Sequence, residues 1–427
     1  MLRALLALLL LAGCATYTPI EIKYREAPST LLPSGARPTA IDLLRLEEKR
    51  PKCVVAGAGS VVCYMPYTRE MYQLQAVENA ISPRLLISLP AADPLPLSGH
   101  VDTYLWDLSA HKDDADNLLI SWTYDRNSVQ SINLLRVKPG GEVKHHLVKE
   151  FKPYDPIFTL RMFVVEPDFV QFFYTNYSEK YFSPISDTGS IEKLWTLGWR
   201  EGRVVFDTQL SETGHVHTTQ YDVSAMKHGQ FDVVWTERRI GSFFGPRPKF
   251  KVGSVIHDGE KPRLRTSAEI SIDKWDAKDR LIFPVAVSNG KDGIKAIAAI
   301  YGGKKGTVFM KVDAGGKMSG EVPIEGDEVS DLVYDAQTGL FRYVKGRLQG
   351  FLGPPAAIRA EVHWTDFRGS EWVEKLEART GSIFPVQGAG DCFYWLQPER
   401  KTFLLLKKCR GSARSRMDGR QAAQGEG

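Results

Sequence analysis

The chain has 427 residues, of which 43% are hydrophobic and 25% are charged, and its formal net charge at pH 7 is +4. These fractions are typical of a globular protein and exclude a largely disordered chain. The basic residues are spread along the sequence, without the basic stripe that is typical of nucleic-acid-binding proteins. We therefore expect no nucleic-acid partner.

The N-terminus combines one basic residue with a short apolar run. Arg3 precedes an apolar run at residues 4–12. This run is too short to cross a bilayer, because a membrane-spanning helix takes about 20 apolar residues. Its length is that of the core of a secretory signal peptide. The sequence therefore predicts export, with the signal peptide in residues 1–13.

The end of this run, Leu11-Ala12-Gly13-Cys14, resembles the lipobox of bacterial lipoproteins. The resemblance covers only these residues. It implies cleavage before Cys14 and acylation of that cysteine, including palmitate, and several acyl chains give stable anchoring to a membrane. In lipoproteins of the enterobacterial type, a residue other than Asp at the next position, here Ala15, favours the outer membrane. The alternative is an ordinary signal peptide with a chance cysteine.

Two segments precede the main body of the chain. Residues 14–39 are rich in Pro, Ser and Thr and are predicted to form a lipidated tether. Residues 40–84 differ in composition. Ala40–Arg50 and Tyr67–Ala80 are typical of helices, and Thr68 is a suitable N-cap for the second. The sequence predicts a small cap region of helices and a hairpin here.

Within this cap region, the stretch CVVAGAGSVVC from Cys53 to Cys63 has two interpretations. Gly57-Ala58-Gly59 resembles the start of a dinucleotide-binding loop. However, the third small residue of that loop is replaced by Val62, and no α/β unit surrounds the stretch. We therefore predict a hairpin joined by a Cys53–Cys63 disulfide, and no cofactor.

The other cysteine pair, Cys392 and Cys409, flanks a strand-turn-strand pattern. Counting outward from the turn at residues 400–401 places the two cysteines opposite each other, at a separation that suits a disulfide. An even number of cysteines in an exported chain also favours disulfides. The alternative, a zinc site, is disfavoured because neither pair has the spacing of common structural zinc sites.

From residue 85 to 409 the sequence is a series of short apolar or alternating runs bounded by Gly, Pro, Asp and Asn, which predicts strands. Six such runs start at residues 117, 169, 231, 294, 339 and 392, at spacings of 45 to 63 residues. Most are followed by a hairpin pattern with a turn signal. A four-stranded unit at this period is typical of a propeller blade. The predicted fold is all-β, a six- or seven-bladed β-propeller over residues 85–409 preceded by the cap region, with a disordered tail at 410–427. Two β-sandwich domains are the alternative.

One predicted turn resembles the Asp box of sialidase-type propellers. Ser186-Asp187-Thr188-Gly189 is followed by Trp195, but the Ser before the Asp and the Thr-Trp after the Gly are absent. The resemblance covers this turn alone. It implies a propeller and no catalytic residue, because Asp boxes are structural elements away from the active site.

The sequence contains no nucleophile elbow, P-loop or metalloprotease motif, so no catalytic residue is predicted. Arg161, Arg247 and Arg342 lie in different repeats, and no motif assigns them a role. His215 and His217 share a strand face, but two ligands are too few for a metal site. Acidic turns at 113–116 and 273–279 lack EF-hand spacing. We therefore expect no metal.

Six tryptophans lie near predicted strand ends and turns, beside polar residues. Tryptophan in such positions suits a binding surface for sugar or protein, whereas packing between blades is the alternative. They are Trp106, Trp195, Trp199, Trp275, Trp364 and Trp372.

Together these patterns predict a membrane-anchored, non-catalytic β-propeller lipoprotein that binds a protein or glycan partner in the bacterial cell envelope. It would be lipid-anchored to the outer membrane, on its periplasmic or cell-surface side. The alternative is a surface-anchored glycoside hydrolase of the sialidase-like type. Arginines and paired carboxylates at the mouth of the central channel would favour the hydrolase.

Overall fold

A computed structural model of the chain describes residues 22–26 and most of residues 51–410. The gaps within the second range are 58–59, 67–68, 78–79, 90–102, 127–128, 153–156, 180–190, 212–214, 226–228, 239–248, 259–260, 272–280, 289–292, 302–306, 325–328, 347–357, 379–383, 387–389 and 400–401. The described residues are almost entirely β-strand. They form seven four-stranded sheets, here called blades I to VII.

Six of the blades each take four strands in succession along the chain, every strand antiparallel to its neighbours. Blade I contains β2 (Lys52–Val55), β3 (Ser60–Met65), β4 (Glu70–Val77) and β5 (Ala80–Ser88). Blade II contains β6 (Thr103–Lys112), β7 (Leu118–Arg126), β8 (Val129–Val137) and β9 (Val143–Glu150). Blade III contains β10 (Ile157–Glu166), β11 (Phe169–Glu179), β12 (Ile191–Arg200) and β13 (Arg203–Gln209).

The next three blades repeat this order. Blade IV contains β14 (His215–Ala225), β15 (Phe231–Arg238), β16 (Lys249–Asp258) and β17 (Lys261–Ser271). Blade V contains β18 (Leu281–Val287), β19 (Ile294–Tyr301), β20 (Thr307–Asp313) and β21 (Met318–Ile324). Blade VI contains β22 (Val329–Asp335), β23 (Leu340–Gly346), β24 (Ile358–Thr365) and β25 (Glu371–Ala378).

Blade VII joins the two ends of the chain. It contains β26 (Phe384–Pro385), β27 (Cys392–Glu399) and β28 (Thr402–Cys409), and its outer strand is β1 (Ile22–Glu26). Strand β1 pairs parallel to β28, with Ile22 opposite Phe403 and Glu26 opposite Lys407. Part of the predicted tether is therefore a strand of the last blade.

Each blade buries its apolar faces against the two blades beside it. An apolar cluster fills each of the interfaces I–II, II–III, III–IV, IV–V, V–VI and VI–VII. A further cluster joins blade VII to blade I, where Phe403 and Leu405 pack with Val61 and Leu74. The sheets therefore close into a ring, and the predicted β-propeller is confirmed. The alternative of two sandwich domains is excluded.

The position of a strand in its blade explains the sequence pattern that predicted it. Every residue of β7 from Leu118 to Tyr124 is buried, because blades I and III cover its two faces. Five of these seven residues are apolar or aromatic, with Ser121 and Thr123 as the polar ones. The outer strand β13 is mostly exposed and carries charged and polar residues. The recurring runs in the sequence are therefore the second strands of successive blades.

The prediction of a separate cap region is wrong for the described residues. These residues form blade I, so the propeller begins at Lys52 rather than at residue 85. The segment predicted as the second helix contains β4, which pairs with β3 on one side and β5 on the other. Its good helix formers adopt a strand because this pairing, with burial of Met71, Gln73 and Leu74, outweighs helix propensity. The first predicted helix, Ala40–Arg50, lies outside the described residues.

Both predicted disulfides are confirmed. Cys53 pairs directly opposite Cys63 across β2 and β3, and their Cα atoms are 4.1 Å apart. Cys392 pairs opposite Cys409 across β27 and β28, with a Cα separation of 3.9 Å. The predicted hairpin is also present, because the Ala56 N–H donates to the Ser60 carbonyl around Gly57, whose φ is +120°.

Among the described residues, no helix has the length and apolar character needed to cross a membrane.

Removing β1 should destabilise the ring, because β28 would lose its paired neighbour. We compare soluble forms that begin at Ala15 and at Leu32, and follow thermal unfolding by circular dichroism. The shorter form should unfold about 2–5 °C lower, the shift expected for a loss of roughly 1–2 kcal/mol. Deleting residues 411–427 is the matched control and should leave the midpoint unchanged. Equal midpoints for the two N-terminal forms would show that β1 contributes nothing to closure.

Candidate functional site

The first strands of blades I to VI, from β2 to β22, contact one another in succession and surround the axis of the ring. We call these the inner strands. Groups on them line the central channel of a propeller, where ligands commonly bind. We therefore expect a functional site on the inner strands.

An extra residue interrupts the pairing of β6, β10, β18 and β22 at the same place, and a longer bulge interrupts β14. In three of these bulges a residue other than glycine has a positive φ, namely Asp107 at 46°, Thr159 at 53° and Asp331 at 51°. Such backbone is strained by about 1–3 kcal/mol, and bulges re-aim side chains beside functional sites. In β6 and β22 the bulge carries an Asp, which this device turns out of the regular strand pattern.

Two carboxylates, one in a bulge and one just after a bulge, link neighbouring blades. Asp107 accepts hydrogen bonds from the backbone N–H groups of Thr159 and Leu160, in the bulge of blade III. Asp222 of blade IV accepts a hydrogen bond of 3.0 Å from the Val287 N–H of blade V. The inner strands are therefore joined by side chain to backbone bonds as well as by apolar packing.

Arg161 of β10 lies between these two carboxylates. Its Nε is 3.9 Å from Asp222 Oδ1, and its charge also acts on Asp107. Lys52 of β2 lies near Asp107 as well, and its ammonium donates to the Leu105 carbonyl. The inner strands of blades I to IV therefore present charges that alternate in sign. We call Lys52, Asp107, Arg161 and Asp222 the channel cluster.

Burial changes the acidity of this cluster. Loss of solvation raises the pKa of Asp222 to about 6, although the charge of Arg161 and two backbone N–H groups oppose the shift. Burial also raises the pKa of Asp107, against the same arginine. The side chains of Arg161 and Asp222 remain 31% and 21% exposed, so solvent reaches both of them.

Tyr221 precedes Asp222 and binds the backbone of blade III. Its hydroxyl donates to the carbonyls of Thr159 and Phe173, the latter at 3.1 Å. Burial raises the pKa of this phenol well above its usual value, so the group stays neutral. Tyr221 fixes the position of the strand that carries Asp222.

Of the three arginines noted in the sequence, the structure describes two, Arg161 and Arg342, and they have different surroundings. Arg342 lies on β23 of blade VI, with its side chain 3% exposed. It donates to Asp331 at 2.9 Å and to the Cys392 carbonyl at 3.4 Å. Arg247 lies outside the described residues. Of the described pair, only Arg161 belongs to the channel cluster.

The structure describes the side chains of four of the six tryptophans noted in the sequence. Trp199 and Trp364 are 5% and 2% exposed and lie in apolar clusters between blades, which is the packing alternative. Trp195 and Trp372 are partly buried, and the ring of Trp372 faces the Arg410 guanidinium at 4.8 Å. The Trp106 side chain and Trp275 lie outside the described residues.

The described part of the chain holds no group of three or more His, Cys, Asp or Glu side chains placed to bind a metal ion. In the acidic turn after β6, Asp113 Oδ1 accepts hydrogen bonds from the N–H groups of Ala115 and Asn117. That carboxylate stabilises its own turn. The side chains of His215 and His217, the second acidic turn and the turn that resembles an Asp box lie outside the described residues.

Sequence reasoning missed Asp107, Tyr221 and Asp222. A signal was available for the first, because Asp107-Leu108 in β6 and Asp331-Leu332 in β22 repeat an Asp-Leu pair in the first strand of two blades. Both Asp residues adopt a positive φ and both Leu residues are buried. Tyr221 and Asp222 follow a longer bulge, which no short motif marks.

The two faces of the ring differ. Connections from first to second and from third to fourth strands lie on one face, the turn face, and are short, as at residues 167–168 and 201–202. The other connections lie on the opposite face, the loop face, and include the longest, at 89–102, 180–190, 239–248, 272–280 and 347–357. Since β1 is parallel to β28, Ile22 begins it at the loop face.

No protein-family model and no curated protein matches the sequence. Among solved structures, the chain is similar to a puromycin hydrolase S511A mutant, with a TM-score of 0.50 and 14% sequence identity. The alignment covers 85% of this chain and 53% of the hydrolase. An oligogalacturonate lyase from Vibrio parahaemolyticus has TM-score 0.46, 12% identity, and coverage of 84% and 90%. The first of these likenesses shows a shared fold alone, and the chain spans about half the length of that hydrolase.

The raised pKa of Asp222 predicts a pH dependence of stability. Because its folded-state pKa of about 6 exceeds the usual 3.8, the stabilising contribution is complete below pH 4 and is lost as the pH rises through 6. Asp222→Asn should remove this pH-dependent contribution to stability. The difference in unfolding free energy, wild type minus variant, should fall by up to about 3 kcal/mol between pH 4 and 7. Urea unfolding across this range measures it.

Asp116→Asn is the matched control, since it removes a carboxylate from an exposed turn without touching the channel. A difference for Asp222→Asn that stays constant from pH 4 to 7 would contradict the assignment of a raised pKa to that carboxyl.

Proposed function

We propose that this protein is a membrane-anchored, non-catalytic β-propeller lipoprotein that binds a protein or glycan partner in the bacterial cell envelope. The observation that favours binding over catalysis is that the two carboxylates of the channel cluster are already engaged in hydrogen bonds. Asp107 and Asp222 accept hydrogen bonds from backbone N–H groups of the next blade. They are acceptors that join blades.

A glycoside hydrolase needs two carboxyl groups that are free to act on the scissile bond, one as acid and one as base or nucleophile. A carboxylate that holds the N–H groups of a neighbouring strand loses acceptor capacity when it takes up a proton, and loses those bonds when it moves. The cost of leaving a buried N–H unpaired is about 1–3 kcal/mol. The present geometry therefore suits a rigid binding site better than a proton-transfer pair.

The resemblance of Leu11–Cys14 to a lipobox supports the anchor, and two disulfides are typical of exported proteins. Cys14 precedes Ile22 by eight residues, which span at most about 28 Å when fully extended. Since β1 begins at the loop face, lipidation at Cys14 would hold that face near the membrane. On this proposal the loop face, where the long connections lie, meets the partner.

Capture of the partner tests this proposal. The full chain is expressed in a bacterial envelope, cross-linked and purified. A defined envelope protein or glycan should be enriched, and replacing residues 239–248 on the loop face by a Gly-Ser linker should reduce the yield about tenfold. Replacing Glu201-Gly202 on the turn face by Asn-Gly is the matched control and should preserve capture. Absence of any defined partner, or loss only with the turn-face variant, would contradict the proposal.

The anchor is tested separately by Cys14→Ala, which should leave an uncleaved, unlipidated precursor by mass spectrometry. An unchanged mature mass would contradict lipidation at this cysteine.

One observation favours the second candidate, a surface-anchored glycoside hydrolase. Burial raises the pKa of Asp222 to about 6, which suits a general acid, and Arg161 lies between Asp222 and a second carboxyl, Asp107. Hydrolysis of fluorogenic glycosides is the test. Activity that is lost in both Asp107→Asn and Asp222→Asn would replace the binding proposal, whereas no turnover across a panel of glycosides would remove the candidate.

A further inference from the structure

We propose that Arg161 recognises the ligand of the central channel, and that this ligand is a sugar acid, a saccharide unit that carries a carboxylate beside hydroxyl groups. The inference rests on the binding function proposed above and names the chemistry that the site would take. Two observations support it. The Arg161 guanidinium has no hydrogen-bond partner among the described residues, and a carboxylate lies on either side of it.

Within the described part of the chain, Arg161 donates no hydrogen bond. The nearest acceptor, Asp222 Oδ1, lies 3.9 Å from its Nε, beyond the 3.2 Å that an N–H···O bond normally spans. A guanidinium has five N–H donors and is always charged. Arg161 is 31% exposed, so these donors are both uncommitted and accessible to a small molecule in the channel.

The other charged groups of the inner strands are engaged. Lys52 donates to the Leu105 carbonyl, and Asp107 accepts from two backbone N–H groups. Asp331, at the bulge of blade VI, accepts from Arg342 at 2.9 Å. Arg161 therefore differs from its neighbours in having charge partners but no hydrogen-bond partner. Its N–H groups are therefore the donors of the channel cluster that remain available to a ligand.

The planar fork of a guanidinium matches the two oxygens of a carboxylate, and such bidentate bonds are among the strongest in proteins. A phosphate fits the fork too, but its second negative charge would meet stronger repulsion from Asp107 and Asp222 on either side. A singly charged group is therefore favoured. Lys52, in blade I, adds a second positive charge to the cluster.

The flanking carboxylates favour hydroxyl groups on the same ligand. Each carboxylate has about four lone-pair sites, and the backbone bonds of Asp107 and Asp222 use only part of them. The remaining sites can accept hydrogen bonds from hydroxyls. Donors at the centre and acceptors on both sides together suit a uronic acid, in which a carboxylate lies beside ring hydroxyls.

The test uses the soluble form that begins at Ala15 and a tetrasaccharide of galacturonic acid, with binding measured by calorimetry. The fully methyl-esterified tetrasaccharide keeps all the sugar hydroxyls but loses the charge, and should bind at least about tenfold more weakly. Arg161→Gln should weaken binding of the acid about tenfold or more. Arg161→Lys should lie between, because it keeps the charge but loses the fork. Arg203→Gln on β13 is the matched control and should bind like the wild type.

Circular dichroism and thermal midpoints establish that each variant is folded, and Arg161→Lys keeps the test valid if Arg161→Gln does not fold. No binding of the acid at millimolar concentration would overturn the inference, as would equal affinity for acid and ester or full affinity in both Arg161 variants. Equal, Arg161-dependent binding of a tetraglutamate peptide would replace the sugar acid by an acidic peptide. Partner capture that survives Arg161→Gln would leave the proposed function standing and remove this inference.

Discussion

Burial of each blade's apolar faces by the two neighbouring blades is the interaction on which the whole structure depends. A single four-stranded sheet with two apolar faces is not stable alone in water, because both faces stay exposed to solvent. Only a closed ring of such sheets covers every face. The interface between blades VII and I is the one that the two ends of the chain must make. Both disulfides contribute cysteines to that interface, and β1 extends blade VII. Each disulfide closes a hairpin within one blade, Cys53–Cys63 in blade I and Cys392–Cys409 in blade VII, on either side of this interface. The chain itself links the two blades, because β1 pairs in blade VII and precedes β2 of blade I.

Closure also determines the electrostatics of the channel. Packing the blades brings their inner strands into contact and removes solvent from polar groups that the bulges turn out of the sheets. A buried carboxylate is tolerated only with partners, and Asp107 and Asp222 obtain them from N–H groups of the next blade. The bulge that exposes the carboxylate on one strand frees N–H groups on the next. The same device therefore holds neighbouring blades together and leaves Arg161 with charge compensation but uncommitted donors.

The sequence predicts those parts of the fold that are determined by residues close together in the chain. Strand β7 was identifiable because burial on both faces makes it mostly apolar, and Cys392 could be placed opposite Cys409 by counting from a turn. Strand β4 was mistaken for a helix because its residues favour helices and only its paired neighbours make it a strand. Strand β1 was assigned to a tether because its partner, β28, lies at the other end of the chain. The channel cluster escaped detection because its members come from four blades, and a one-residue bulge decides which way each side chain points.

The parallel pairing of β1 gives the ring a direction with respect to the proposed anchor. An antiparallel β1 would begin at the turn face and lead the preceding residues away from the long connections. The observed pairing begins at Ile22 beside Phe403, at the loop face, where the inner strands also start. If Cys14 carries the lipid, the strand that completes blade VII is also the strand that orients the channel entrance toward the membrane. Anchoring and ring closure would then depend on one element, so tension on the lipid would act on the pairing of β1 with β28, in the blade that carries the Cys392–Cys409 disulfide.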